Sequence, residues 1–217
     1  MERHAREDRR IAYLLAGVAG LVDATGYLES HGLFVSFMTG NSTKLAVLLG
    51  SAPTVALFAA LLISCFLFGV IVATLVERVA RRAGTALLLV ATLLIAAGAA
   101  HVAGASGVAA ALAAVAMGAI NLTFRRGGEA SIAIGYVTGT LVRFGQRLAD
   151  AIAGARPWRD CLPYLGMWCA LMAGALLGAA LARTDWTVNY ALAAAVITIV
   201  ALVLRRRDPT GQGTEPA

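Results

Sequence analysis

Apolar residues fill six long stretches of the chain, at about 11–28, 54–76, 84–103, 107–124, 162–182 and 187–204. Several approach or exceed the roughly 20 residues that a helix needs to cross hydrocarbon. Two further stretches, about 34–50 and 132–153, are apolar but interrupted. The first, "GLFVSFMTGNSTKLAVLLG", sets Lys44 among apolar residues and carries Thr39-Gly40-Asn41 where a helix should already be running. The second, "ASIAIGYVTGTLVRFGQ", repeats the plan with Thr138-Gly139-Thr140 and, five residues after the threonine, Arg143. The chain therefore crosses a membrane six times or eight.

Loop charge separates the two counts, because Lys and Arg concentrate on the cytoplasmic side. With eight crossings and the N-terminus inside, Arg78, Arg81, Arg82, Arg125, Arg126 and Arg183 would all lie outside. If each interrupted stretch instead enters and leaves on one side, the loops "ERVARR" and "FRRGG" move inside and Arg183 alone remains outside. Length agrees. The 12 residues from Thr39 to Gly50 make about 18 Å of helix, against hydrocarbon about 30 Å thick.

Each half then reads as one helix, a re-entrant segment and two more helices, and three crossings per half invert the second half relative to the first. The spacing repeats as well. Asp23 lies 16 residues before Thr39 and Asn121 lies 17 before Thr138; Glu29 and Glu129 precede the same threonines by 10 and 9. The expected fold is an all-α integral membrane protein with about six transmembrane helices in two inverted three-helix repeats. Each repeat holds a short re-entrant or broken helix starting at its Thr-Gly motif. Residues 1–10 form a basic cytoplasmic N-terminus, 11–103 the first membrane repeat, 107–204 the second, and 205–217 a basic, disordered cytoplasmic tail. The charged-then-apolar start resembles a signal peptide but lacks a small-x-small cleavage site, and is taken as a retained first helix.

Composition agrees with this class: 59% hydrophobic, 14% charged and a mean hydropathy of +0.78. The net charge of +6 would suggest nucleic acid in a soluble chain, but here the basic residues sit between apolar runs, as topology determinants do. No nucleic-acid partner is expected. Cys65, Cys161 and Cys169 stand alone without CxxC spacing, so neither a disulfide framework nor a metal site is implied. Gly166, Ala170, Gly174 and Gly178 form a small-residue stripe for close helix packing, within the fold or between copies of the chain. Trp158, Trp168 and Trp186 include two near span ends, as interfacial anchors do.

The segments "GLVDATGYL", "GLFVSFMTGNSTKLAV" and "MGAINLTFRRGGEASIAIGYVTGTLVRFGQRLAD", in this order, resemble the YoaK family of bacterial multi-pass membrane proteins from about Ile11 to Leu204. The resemblance implies an integral protein of a bacterial membrane with no assigned substrate. It carries over no catalytic residue, and the two Thr-Gly motifs only as hallmarks.

Chemistry has to be read from the residues. Thr39 and Thr138 suit N-caps, and a half-helix starting at either would aim free N–H groups and a positive dipole end into the membrane interior. Such an end binds anions. Lys44 and Arg143 follow about one turn later, and intramembrane cations face a cavity, a partner or the interface. The candidate solute site is therefore Thr39, Gly40, Asn41, Lys44, Thr138, Gly139, Thr140 and Arg143. Asp23 either pairs with Lys44 or carries a coupling proton, with Asn121 as its neutral counterpart. Glu29 and His31 fall at the outer mouth, as a solvated rim or a gate.

No HExxH, GxSxG, P-loop or paired catalytic carboxylates occur, so no enzyme activity and no cofactor are expected. The leading expectation is a secondary transporter of a small anionic or carboxylate-bearing solute in the bacterial inner membrane, possible proton coupling included, with both termini cytoplasmic. Two alternatives stay open: a passive channel with paired half-helices, and a membrane scaffold without transport. The bilayer and a small solute are the expected partners, and homo-oligomerisation is open.

Overall fold

The computed structural model describes residues 2–30, 32–80, 84–121, 125–126, 129–130 and 137–207. In chain order the helices are α1 (Glu2–Glu29), α2 (Met38–Leu48), α3 (Pro53–Ala80), α4 (Thr85–Val102), α5 (Ser106–Ile120), α6 (Val137–Ile152), α7 (Leu162–Leu181) and α8 (Trp186–Arg207), with a 3-10 turn at Trp158–Asp160 ahead of α7. The helices make this an all-α chain, as expected, with a two-residue antiparallel pair, Arg125 opposite Ala130 and Arg126 opposite Glu129, between α5 and α6.

Among the described residues, five stretches are long and apolar enough to cross a membrane: Glu7–Glu29, Pro53–Ala80, Thr85–Val102, Trp158–Leu181 and Trp186–Arg207. The sixth expected span, α5, is shorter, with 15 residues, or about 22 Å. Its alanines and glycine leave room for neighbours on every side. Ala109, Ala113, Ala116, Gly118 and Ile120 are all buried beneath α1, α3 and α4. The expected start of the disordered tail is helical instead, since Arg205, Arg206 and Arg207 form the last turn of α8. Three cations there face the negative end of the helix dipole.

Two crossings organise the bundle. α1 packs along α7, and α3 packs along α5. In the first, a Cβ on Gly20 would run into the backbone of Leu171 and Ala175, and one on Gly174 into the Gly17 carbonyl. In the second, a Cβ on Gly118 would run into the backbone of Phe66 and Val70, and one on Gly69 into Val115. Both pairs touch backbone to backbone, which small residues allow in membrane helices. The stripe Gly166–Gly178 is used inside the fold, with Gly166 against Tyr13 and Gly178 against Leu21. α4 and α8 pack on each other between the two crossings.

Side-chain contacts identify the two ends of the bundle. At one, Glu29 of α1, His101 of α4 and Tyr190 of α8 meet. At the other, Arg207 reaches Glu7 at 2.9 Å and Asp8 at 3.6 Å, and Arg205 reaches Thr85 at 3.3 Å.

Candidate functional site

Residues 32–37, between α1 and α2, belong to no helix and are held by four polar side chains. Asp23 accepts the N–H groups of Val35 and Ser36 through one carboxylate oxygen, both at 2.9 Å. Fully buried Asn41 accepts the Phe34 N–H at 2.9 Å and donates to the Phe34 carbonyl at 2.6 Å. Ser30 donates to the carbonyls of Gly26 and Leu33 and accepts the Leu33 N–H. Lys44 donates to the Gly32 carbonyl, with its ammonium 5.0 Å from the Tyr27 ring centre and 5.3 Å from that of Phe34. Buried backbone groups need partners, and this segment belongs to no helix that could supply them. Asp23, Ser30, Asn41 and Lys44 do so.

Several sequence-based expectations change here. Asp23 and Lys44 are not paired, because each is engaged by backbone of the same connecting segment. Thr39 is no N-cap: α2 starts one residue earlier, the cap position is Phe37, and no side chain caps it. Thr39 is exposed. A Cβ on Gly40 would press into the rings of Phe37 at 2.5 Å and Phe34 at 3.2 Å, two rings packed edge to face at 5.3 Å. The glycine makes room for that pair. Thr138 is likewise the second residue of α6, not the residue ahead of it. Asn121 caps the end of α5, its amide donating to the Met117 carbonyl at 2.7 Å.

The two Thr-Gly helices do not meet. α2 packs on α3, whereas α6 packs on α7 and the turn before it, so Lys44 and Arg143 share no site among the described residues. Arg143 instead lines an open cleft of about 510 Å³ with Gln146, Arg147, Asp150 and Tyr164, on the same helix as Gly139 and Thr140. Asp150 lies 3.8 Å from both Arg147 and Arg156. These pairs are half exposed and contribute little to stability.

Glu29 departs furthest from expectation. It is no solvated rim residue: its side chain is 3% exposed, and both oxygens are engaged. The Tyr190 hydroxyl donates to one at 2.6 Å, and His101 Nδ1 stands 2.6 Å from the other. The His101 ring, 23% exposed, stacks on Trp186 at 5.8 Å and 21°. One turn below, Asn189 donates to Thr25 at 2.8 Å and to the Gly178 carbonyl at 2.9 Å, and its own oxygen has no partner among the described residues. Just outside the spans, Asp185 accepts the Thr187 N–H at 2.8 Å. That bond holds its carboxyl below the usual aspartate range, and the nearby His101 adds to the effect. His31, the expected partner of Glu29 at this mouth, lies outside the described residues.

His101, Tyr190, Asn189 and Thr25 were not singled out from sequence. For His101 the signal was available, since an ionisable residue inside an apolar run is the criterion that picks out Asp23 and Lys44.

Relatives agree with a membrane chain. The UPF0700 transmembrane protein RA0705 of Rhizobium meliloti (strain 1021) is 35% identical over 198 residues, covering 88% of this chain and 84% of that protein. No solved structure matches. The family described as protein of unknown function (DUF1275) matches residues 11–204, nearly the whole apolar part of the sequence, and this multi-pass membrane chain belongs to it.

Proposed function

We propose that the chain is a six-span carrier of two inverted halves, within the narrower YoaK group, that moves a small anionic or carboxylate-bearing solute across a bacterial inner membrane. The repeated crossing carries this reading. Gly17, Gly20 and Asp23 of α1 are spaced as Val115, Gly118 and Asn121 of α5, while Leu171, Gly174 and Ala175 of α7 are spaced as Phe66, Gly69 and Val70 of α3. The same backbone contacts join each set, so exchanging the halves maps one crossing onto the other. With α2 leaving and rejoining the Glu29 end, and α6 the opposite end, each half crosses three times. Paired inverted halves are the architecture of many secondary transporters. The end that gathers Arg78, Arg147, Arg156, Arg159 and Arg205–Arg207 is then cytoplasmic, along with both termini.

The solute's charge is inferred from the α6 cleft, where Arg143 and Arg147 stand with Gln146 and Tyr164 against the single carboxylate of Asp150. This replaces the paired half-helix site expected from the sequence. A paired half-helix channel needs the two short helices to meet, and α2 and α6 are apart. No enzymatic step enters the reading.

Two measurements test it. In a background lacking Cys65, Cys161 and Cys169, single cysteines at Ser51 and Arg78 are labelled from each side of the membrane. Six spans require outside labelling at Ser51 and inside labelling at Arg78; the reverse means eight spans and removes the inverted repeat. Proteoliposomes are then screened with radiolabelled small carboxylates and inorganic anions, with uptake expected for the wild type and lost in Arg143→Ala. Absence of uptake across the panel favours a scaffold.

A further inference from the structure

Glu29 and its neighbours supply a site that the carrier reading lacks. A buried carboxylate normally has backbone amides, a cation or a metal around it. Among the described residues Glu29 has instead two side chains that exchange or share protons, one on each oxygen, contributed by two other helices. Both contacts are 2.6 Å: ordinary for a hydroxyl on a carboxylate, where about 2.5–2.7 Å is usual, and shorter than the about 2.7–2.9 Å usual for a charged N–H donor. The carboxylate itself is closed off, but the His101 ring beside it is 23% exposed.

We propose that Glu29, His101 and Tyr190 form an exchangeable proton site at the end of the bundle opposite the termini, and that its occupancy sets how firmly α1 is held to α4 and α8. In the empty state the carboxylate is charged, the imidazole is neutral with its proton on Nδ1, and Tyr190 donates its hydroxyl. A proton from water adds to the outer nitrogen of His101, and the site passes from one net negative charge to neutral, as an imidazolium–carboxylate pair. Transfer of the Nδ1 proton to Glu29 gives a neutral acid and a neutral imidazole, and exchanges an ion pair between α1 and α4 for an uncharged hydrogen bond. Tyr190 shares the same carboxylate from α8, in the other half, so the charge on Glu29 bears on how firmly one half is held against the other.

The surrounding groups are few. Asp185 and exposed Arg183 come from the α7–α8 connection, with Asp185 in electrostatic reach of His101. α5 carries no titratable residue. In α7, Tyr164 lines the cleft at the far end and Cys169 is exposed. Lys44 is engaged at Gly32, and His31 lies outside the described residues. Asp23 is tied to the amides of the connecting segment, and Glu7 and Asp8 face Arg207 at the opposite end.

What the proton does for transport rests on the carrier reading; the site itself is tested without any solute. Full-length protein carrying Trp158→Phe and Trp168→Phe keeps Trp186 as its one tryptophan, stacked on His101. In nanodiscs its fluorescence is titrated from about pH 5 to 8, where histidine changes charge. A stacked imidazolium quenches indole emission, so one transition of at least about twofold is expected, absent in His101→Gln. In Glu29→Gln its midpoint is displaced by about one unit or more, a tenfold change in proton affinity. Flat fluorescence in folded wild-type protein, a transition surviving in His101→Gln, or an unmoved midpoint in Glu29→Gln each overturns the proposal. If Glu29→Gln does not fold, Tyr190→Phe decides in its place: it keeps the buried ring and must still displace the midpoint. A flat titration in protein that takes up carboxylates sinks the proton site and leaves the carrier standing. A titration without uptake does the opposite.

Discussion

α2 and α6 begin with the same motif and hold the same place in their halves, yet their polar groups do opposite things. In α2, Asn41 is buried with both ends of its amide on Phe34, and Lys44 is bound to Gly32 beneath two aromatic rings. In α6, Arg143 is exposed and opens onto a cleft with Gln146 and Arg147. The difference lies in what surrounds the helix. α2 follows α1 through a short irregular segment that lacks helical partners for its backbone, so nearby side chains are drawn into satisfying it. α6 packs on α7 and the turn before it, and leaves Leu141, Val142 and Ile152 exposed on its apolar side. Motif identity therefore does not transfer function from one half to the other: one copy holds a connection, and the other offers its charges to solvent or solute.

The largest effect should come from Asp23→Ala. Hydrogen bonds to a charged acceptor contribute about 1.5–3 kcal/mol each, and two amides lose their acceptor. A loss of about 3 kcal/mol in unfolding free energy, measured by denaturant titration in detergent, is expected, and Asp23→Asn should recover most of it. A fully stable Asp23→Ala protein that had lost pH-driven uptake would instead make Asp23 the coupling carboxylate. The next effect is Asn41→Ala, which leaves the Phe34 N–H and carbonyl unpartnered, for about 2 kcal/mol. Gln146→Ala in α6 should stay within about 0.5 kcal/mol. Equal losses at both positions would erase the contrast between the two helices.

Much of this was legible in the sequence. The apolar runs gave the long helices to within about four residues, except that α1 starts at Glu2, in the charged stretch ahead of its run, because length and hydropathy identify a span but not a polar extension of its helix. The Thr-Gly motifs located two short helices. The partners were not legible. Asp23 and Lys44 are the two opposite charges of the first repeat's apolar segments, and pairing them is the simplest inference. Whether the backbone between them needs those charges more depends on how residues 32–37 fold, which spacing does not encode. Glu29 ends an apolar run next to polar residues, which reads as a solvated rim, and its burial appears only once α4 and α8 are folded over it. α5 ends at Ile120, and residues 122–124 of the expected span lie outside the described residues.

Lys44→Met and Arg143→Met make the finest test, because they change the same position of the two motifs in the same way. Met keeps the aliphatic stem of either residue and removes the charge. At Lys44 it leaves the Gly32 carbonyl without its donor and removes a cation from two rings, together about 1–2 kcal/mol. At Arg143 the guanidinium is exposed and no stability change beyond about 0.5 kcal/mol is expected. Anion sensitivity should run the other way. If the α6 cleft takes an anion, adding phosphate raises the melting temperature of the wild type and of Lys44→Met, since a ligand that binds only the folded state stabilises it. The same addition should leave Arg143→Met unmoved. A phosphate response lost in Lys44→Met but kept in Arg143→Met would reverse the roles of the two helices and return the solute site to α2.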